Sequence, residues 1–169
     1  MRDRLLRPGM LAYISGIILN IVAIFTPYVR YSYSHELYVD AKGSYSLFGI
    51  NNIKDDFLAS EAPGVVLSFV PVILLLAIAA GIVCLILQLK GTNISSLIMF
   101  LAPALSVLGY IIVRLNSVAK SVISYIRDMD DEMLLAGYTG SGGYGAGAFL
   151  IIISIIIMIS GAVMICMEE

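Results

Sequence analysis

The chain carries no tryptophan, one histidine and two cysteines among its 169 residues, and only 13% of it is charged. Each shortage closes off a class of protein. His35 is the lone imidazole, and with two cysteines it falls short of the ligand set that a zinc site needs. Cys84 and Cys166 both lie inside long apolar runs, so they read as small apolar residues of a core or lipid-facing surface, not as a loop disulfide. A soluble domain is about a quarter charged; this chain has half that complement, gathered in short segments. Its net charge of -2, with no basic cluster interleaved with aromatics, excludes nucleic acid as a partner.

What the chain has instead is apolar length. It is 60% hydrophobic, with mean hydropathy +0.97. Four runs reach the roughly 20 residues needed to cross a bilayer as helices, at 10–29, 64–89, 93–115 and 147–167. Backbone in lipid must satisfy its own hydrogen bonds, so runs of this kind read as helices. The segment MRDRLLRP resembles the basic start of a signal peptide, but the apolar run after it is too long and no A-x-A-like site follows. It reads as a retained helix. The fold expected is an all-α integral membrane protein, a four-transmembrane-helix bundle with a small extracellular cap containing a β-hairpin or small β-sheet.

Basic residues set the expected orientation. Arg2, Arg4 and Arg7 precede the first run, and Lys90 lies in the tight turn between the second and third. Both termini are therefore expected in the cytoplasm of a multi-pass cell-membrane protein. The two long loops, 30–63 and 116–146, are expected outside.

The first loop alternates. Val29, Tyr31, Tyr33, His35, Leu37 and Val39 fall on one side of an extended chain, and Arg30, Ser32, Ser34, Glu36, Tyr38 and Asp40 on the other. Period two marks a strand with one buried face. Asp40-Ala41-Lys42-Gly43 has turn chemistry, with Gly43 suited to a left-handed position, so a hairpin about 40–43 is expected, with its second strand over Ser44–Phe48. A lone hairpin is marginal in water and needs a cover. The second loop offers one: Leu115, Val118, Val122, Tyr125, Met129 and Met133 recur at helical spacing. That helix is expected to end near Gly137, as a C-cap. The segment YTGSGGYGAGA (138–148) then reads either as a flexible connection or as backbone packed closely against the first loop.

Candidate chemistry is sparse. No Asp, Glu, Lys or His lies deep in any span, which argues against a proton-coupled carrier relying on an intramembrane carboxylate. No catalytic set is evident, so no enzyme and no cofactor is expected. Arg114, near the end of the third span, reads as snorkelling to the headgroups or pairing with an acid of the first loop. Asn20, in the middle of the first span, reads as a helix-packing residue or a pore lining. Small residues, among them Gly81, Ser106, Gly109 and Gly161, suit close helix approach, and Pro71 and Pro103 suit kinks. Asp128, Asp130, Asp131 and Glu132 are the best candidates for a cation site, against the alternative of a solvated helix face. Arg30, Glu36, Tyr38 and Asp40 are the candidate partner contacts.

The layout resembles the claudin-like tetraspan membrane proteins, which share cytoplasmic termini, a β-rich first outer loop and an outward-extended third helix. The resemblance is one of topology, because the family's Trp…Gly-Leu-Trp…Cys…Cys signature is absent. SYSLFG (44–49) and GYGAGAFL (143–150) make the chain closer in pattern to small four-helix membrane proteins of Gram-positive bacteria, a likeness that implies a fold and no activity. The function expected is non-enzymatic: the cap mediates self-association or binding to another membrane or envelope protein. An oligomeric channel, or an auxiliary subunit of a transporter or secretion complex, is the alternative.

Overall fold

A computed structural model describes residues 7–37, 40–47, 70–90, 96–115 and 117–167. Five α-helices and one three-stranded antiparallel sheet make up the described chain. Helix α1 spans Pro8–Phe25, opening on a proline at its first turn, where a missing N–H costs nothing. It stops at Phe25 because Thr26, preceding Pro27, is pushed to an extended backbone (φ -83, ψ 145). The helix is thus shorter than the 10–29 run expected; Tyr28 and Val29 already belong to the sheet side of the molecule.

Strands β1 (Val29–Ser34) and β2 (Ala41–Tyr45) follow, then helix α2 (Val70–Lys90). Residues 64–69 of the expected second span, and Phe48 of the expected second strand, lie outside the described residues. Pro71 lies within α2, and the residues before Val70, on which its place in the helix depends, are outside the described ones. A 3-10 segment, Ser96–Phe100, leads into α3 (Leu101–Leu115), in which Pro103 is buried. Helix α4 (Ser117–Leu135) succeeds it, then strand β3 (Thr139–Tyr144) and helix α5 (Ala146–Met167). Among the described residues, four helical stretches are long and apolar enough to cross a membrane: Pro8–Phe25, Val72–Lys90, Leu97–Leu115 and Ala146–Met167. Helix α4, with its acidic run, is not among them.

Helices α1 and α5 pack with almost nothing between their backbones. A Cβ on Gly161 would meet the Tyr13 nitrogen at 2.6 Å and the Gly9 oxygen at 2.8 Å, and one on Gly16 would meet the Met158 nitrogen at 2.9 Å. Small residues that let backbones approach are the usual way helices associate without a hydrophobic drive between them. Tyr13, fully buried, donates its hydroxyl proton to the Met99 carbonyl at 2.8 Å, tying α1 to the 3-10 segment. Outward positions on every long helix carry large apolar side chains, among them Ile18, Phe25, Leu76, Val83, Leu108 and Ile156, all around half exposed.

The sheet order is β2-β1-β3, with β1 central. Burial in β1 alternates strictly: Val29, Tyr31 and Tyr33 are buried, while Arg30, Ser32 and Ser34 are exposed. The register sets Tyr31 between Gly43 and Gly142, and Tyr33 between Ala41 and Gly140. Directly paired residues share a face, so each large ring is flanked by residues with little or no side chain. A Cβ at Gly43 would collide with the phenol end of Tyr31. This overturns the turn expected at 40–43: Gly43 is in mid-strand, and the connection runs from Ser34 to Ala41. Leu37, expected on the covered face, is consequently beyond the strand and 84% exposed.

Candidate interaction surface

The two faces of the sheet are built for different surroundings. On the inner face the Tyr31 and Tyr33 rings stack at 6.2 Å between centroids and join Ile126 and Met129 of α4 in one buried cluster. Asp130 locks the same junction. Its Oδ1 accepts from the Tyr33 hydroxyl and from the Gly142 N–H, the latter at 3.1 Å. One carboxylate thereby joins α4, β1 and β3. Burial, reinforced by the hydrogen bond and negative charge of Asp130, pushes the Tyr33 phenol well above the ordinary tyrosine range.

Helix geometry explains why the acidic run does not act as a unit. Successive residues are about 100° apart, so Asp130 turns inward while Asp128, Asp131 and Glu132 are exposed. Among the described residues no group of three or more His, Cys, Asp or Glu could hold a metal ion. The covering face of α4 runs through Ile123, Ile126, Met129 and Met133, and Leu115, expected to begin it, is 67% exposed. The side chains of Val118, Val122 and Tyr125 lie outside the description.

Helix α4 closes with a Schellman motif. The Gly137 N–H reaches the Leu134 carbonyl at 3.1 Å and the Tyr138 N–H reaches Met133 at 2.9 Å, with Gly137 in the left-handed region at φ 84. Tyr138 then packs on His35, ring centroids 4.9 Å apart, and the His35 Nδ1 accepts from the Leu37 N–H.

The outer face presents Arg30, Ser32 and Ser34 from β1, Lys42 from β2, and Thr139 and Ser141 from β3, all exposed. It is polar, rich in hydroxyls and cationic at two points. Lys42 pairs with Asp40 at 2.9 Å, and that hydrogen bond, with one from Ser34, holds the Asp40 carboxyl below the usual carboxylate range. Of the four candidate contacts, Arg30 lies on this face, Glu36 and Asp40 lie exposed in and beside the β1–β2 connection, and Tyr38 is outside the described residues.

Two further polar residues settle elsewhere. Asn20 is buried in the bundle and donates through Nδ2 to the Ser106 Oγ at 2.8 Å, joining α1 to α3. Arg114 lies against aromatic rings: its guanidinium carbon is 4.4 Å from the Tyr144 centroid and 5.8 Å from that of Tyr110. Tyr144 in turn receives Tyr28 edge-on at 5.7 Å. Tyr144 and Gly142 fall in the 138–148 segment, and its pairing with β1 bears out the reading of close backbone packing against the first loop over that of a flexible connection. The signal was the matched spacing: two tyrosines two apart in one loop, two glycines two apart in the other.

No protein-family model matches the chain, and no curated protein matches it.

Proposed function

We propose that the chain is a non-enzymatic multi-pass membrane protein whose sheet and α4 form an extracellular cap for self-association or for binding another membrane or envelope protein. The four long helices span the bilayer, with both termini cytoplasmic. Large apolar side chains cover their outward faces; in water so continuous an apolar surface is an aggregation hazard, whereas lipid solvates it. The claudin-like layout and the likeness to small Gram-positive four-helix proteins point the same way.

The observation that carries the reading is the asymmetry of the sheet. Its inner face is fixed to α4 by Tyr31, Tyr33 and Asp130, while its outer face of Arg30, Ser32, Ser34, Lys42, Thr139 and Ser141 is open to solvent. A rigid platform held by the fold presents side chains to a partner at low entropic cost. The pore alternative draws no support from Asn20, whose side chain is buried inside the bundle with its Nδ2 on Ser106.

The test uses Ser32→Cys in a background with Cys84 and Cys166 replaced by alanine. Labelling of intact cells by a membrane-impermeant maleimide is expected, and a bifunctional thiol or amine-thiol crosslinker is expected to yield a discrete dimer or a partner adduct. Labelling only after permeabilisation would overturn the orientation. An accessible thiol that never crosslinks would overturn the contact role.

A further inference from the structure

The aromatic cluster around Arg114 is unused by the cap and sits at a particular level of the molecule. Arg114 is the penultimate residue of α3; Tyr28 stands between α1 and β1; Tyr144 ends β3, two residues before α5. Arg114 thus lies at the end of a long helix, and Tyr28 and Tyr144 lie at two junctions between long helix and sheet. If the helices span a bilayer, as proposed above, that level is the boundary between hydrocarbon and headgroups, where tyrosines and arginines concentrate.

Arg114 is exposed, and among the described residues no carboxylate lies within ion-pair distance of it. Its position is set by the rings of Tyr144 and Tyr110. Ring contact and a hydrogen bond to the Tyr144 hydroxyl hold the guanidinium without neutralising it, so the planar fork keeps its charge and its remaining donors for a further acceptor. That fork matches the oxygens of a phosphate. Tyr28, packed against Tyr144, is 1% exposed, and its hydroxyl has no hydrogen-bond partner among the described residues. Among the described residues the cluster therefore holds one cation with no carboxylate partner and one hydroxyl with no hydrogen-bond partner.

We propose that Arg114, positioned by Tyr144 and Tyr110, binds the phosphate of a membrane lipid and favours lipids with a net negative headgroup. A zwitterionic headgroup carries its own ammonium, which competes with Arg114 for the phosphate; a glycerol headgroup does not. The proposal rests on the bilayer-spanning reading, and the experiment separates the two.

The full chain and its Arg114→Gln and Arg114→Lys variants are reconstituted into vesicles of phosphatidylcholine containing phosphatidylglycerol. They are checked for co-flotation, then extracted for native mass spectrometry of retained lipid. The wild type is expected to retain phosphatidylglycerol preferentially. Arg114→Gln is expected to lower that preference about tenfold, the worth of one charge-assisted contact, while still floating. Arg114→Lys, which keeps the charge and loses the fork, is expected to fall between. Equal preference in all three proteins overturns the site. Binding of inorganic phosphate by a wild type that retains no phosphatidylglycerol overturns the lipid as its ligand. A wild type that fails to float with vesicles overturns the membrane reading and this site with it.

Discussion

The hydroxyl of Tyr33 donates to the carboxylate of Asp130, closing a contact between residues 97 positions apart in the chain. The same oxygen takes the Gly142 N–H, so the link is three-way and Asp130 is the shared acceptor. Asp130→Ala leaves both donors without their partner and is expected to cost about 2 kcal/mol, in the range for hydrogen bonds to a charged group. Tyr33→Phe removes one bond of the two and is expected to cost about 1 kcal/mol. Amide hydrogen exchange checks this: protection at Gly142 should fall in both variants, and further in Asp130→Ala. Unchanged exchange at Gly142 in Asp130→Ala would show that α4 does not hold β3.

The cap should also be sensitive to alkali. The folded state raises the phenol pKa of Tyr33, chiefly through burial and then through Asp130; burial raises that of Tyr28 as well. A raised value in the folded state means that the neutral phenol is the favoured form. Its contribution is complete below the ordinary tyrosine value of about 10 and is lost as pH climbs beyond it. With no tryptophan in the chain, ultraviolet difference absorbance reports tyrosinate alone. Exposed phenols are expected to titrate first, with a late phase that coincides with loss of sheet signal in circular dichroism. Tyr33→Phe should shrink the late phase; an unchanged late phase would place Tyr33 among the exposed phenols.

Close approach of α1 and α5 makes Gly161 the least replaceable small residue of the bundle. The three atoms nearest an alanine Cβ there are all backbone, the nitrogen and Cα of Tyr13 and the oxygen of Gly9, none farther than 2.9 Å. The helices must separate to admit it, at about 1–3 kcal/mol. At Gly109 the nearest atoms are side-chain carbons of Leu74 and Ile73, at 3.1 Å and beyond, and these can shift. Denaturation in micelles is expected to rank Gly161→Ala well below Gly109→Ala in stability, and the reverse order would contradict this packing.

Much of this architecture was legible because lipid-length apolar runs and period-two alternation each admit few structures. The four long helices follow from the first, and the buried Val29, Tyr31 and Tyr33 from the second. The turn was misplaced because Asp40-Ala41-Lys42-Gly43 has favourable local turn chemistry, yet the Tyr31 ring needs a glycine opposite it, and that tertiary demand prevails. Strand β3 was legible only as one of two readings of 138–148, close backbone packing against the first loop, for a related reason. Glycine contributes no side chain, so a glycine strand leaves no alternation to detect. The acidic run reads as one cluster along the chain, and only the helix turns Asp130 away from its neighbours. Arg114 and Tyr144 stand 30 positions apart with no periodic relationship between them, so their contact exists only in three dimensions.

The Asn20–Ser106 bond gives an asymmetric prediction. Asn20 donates through Nδ2, but its Oδ1 is buried with no partner among the described residues, so the side chain already carries an unsatisfied polar atom. Asn20→Leu removes that atom together with the donor and fills similar volume; Ser106 retains its hydroxyl, which can bond back to its own helix. The net cost is expected to be under about 1 kcal/mol. Ser106→Ala instead strands the Nδ2 donor beside the already orphaned Oδ1, and is expected to cost about 1–3 kcal/mol. A double-mutant cycle with Asn20→Leu and Ser106→Ala should then return a coupling of about 0.6 kcal/mol or more. Additive losses would show that Asn20 and Ser106 do not depend on one another.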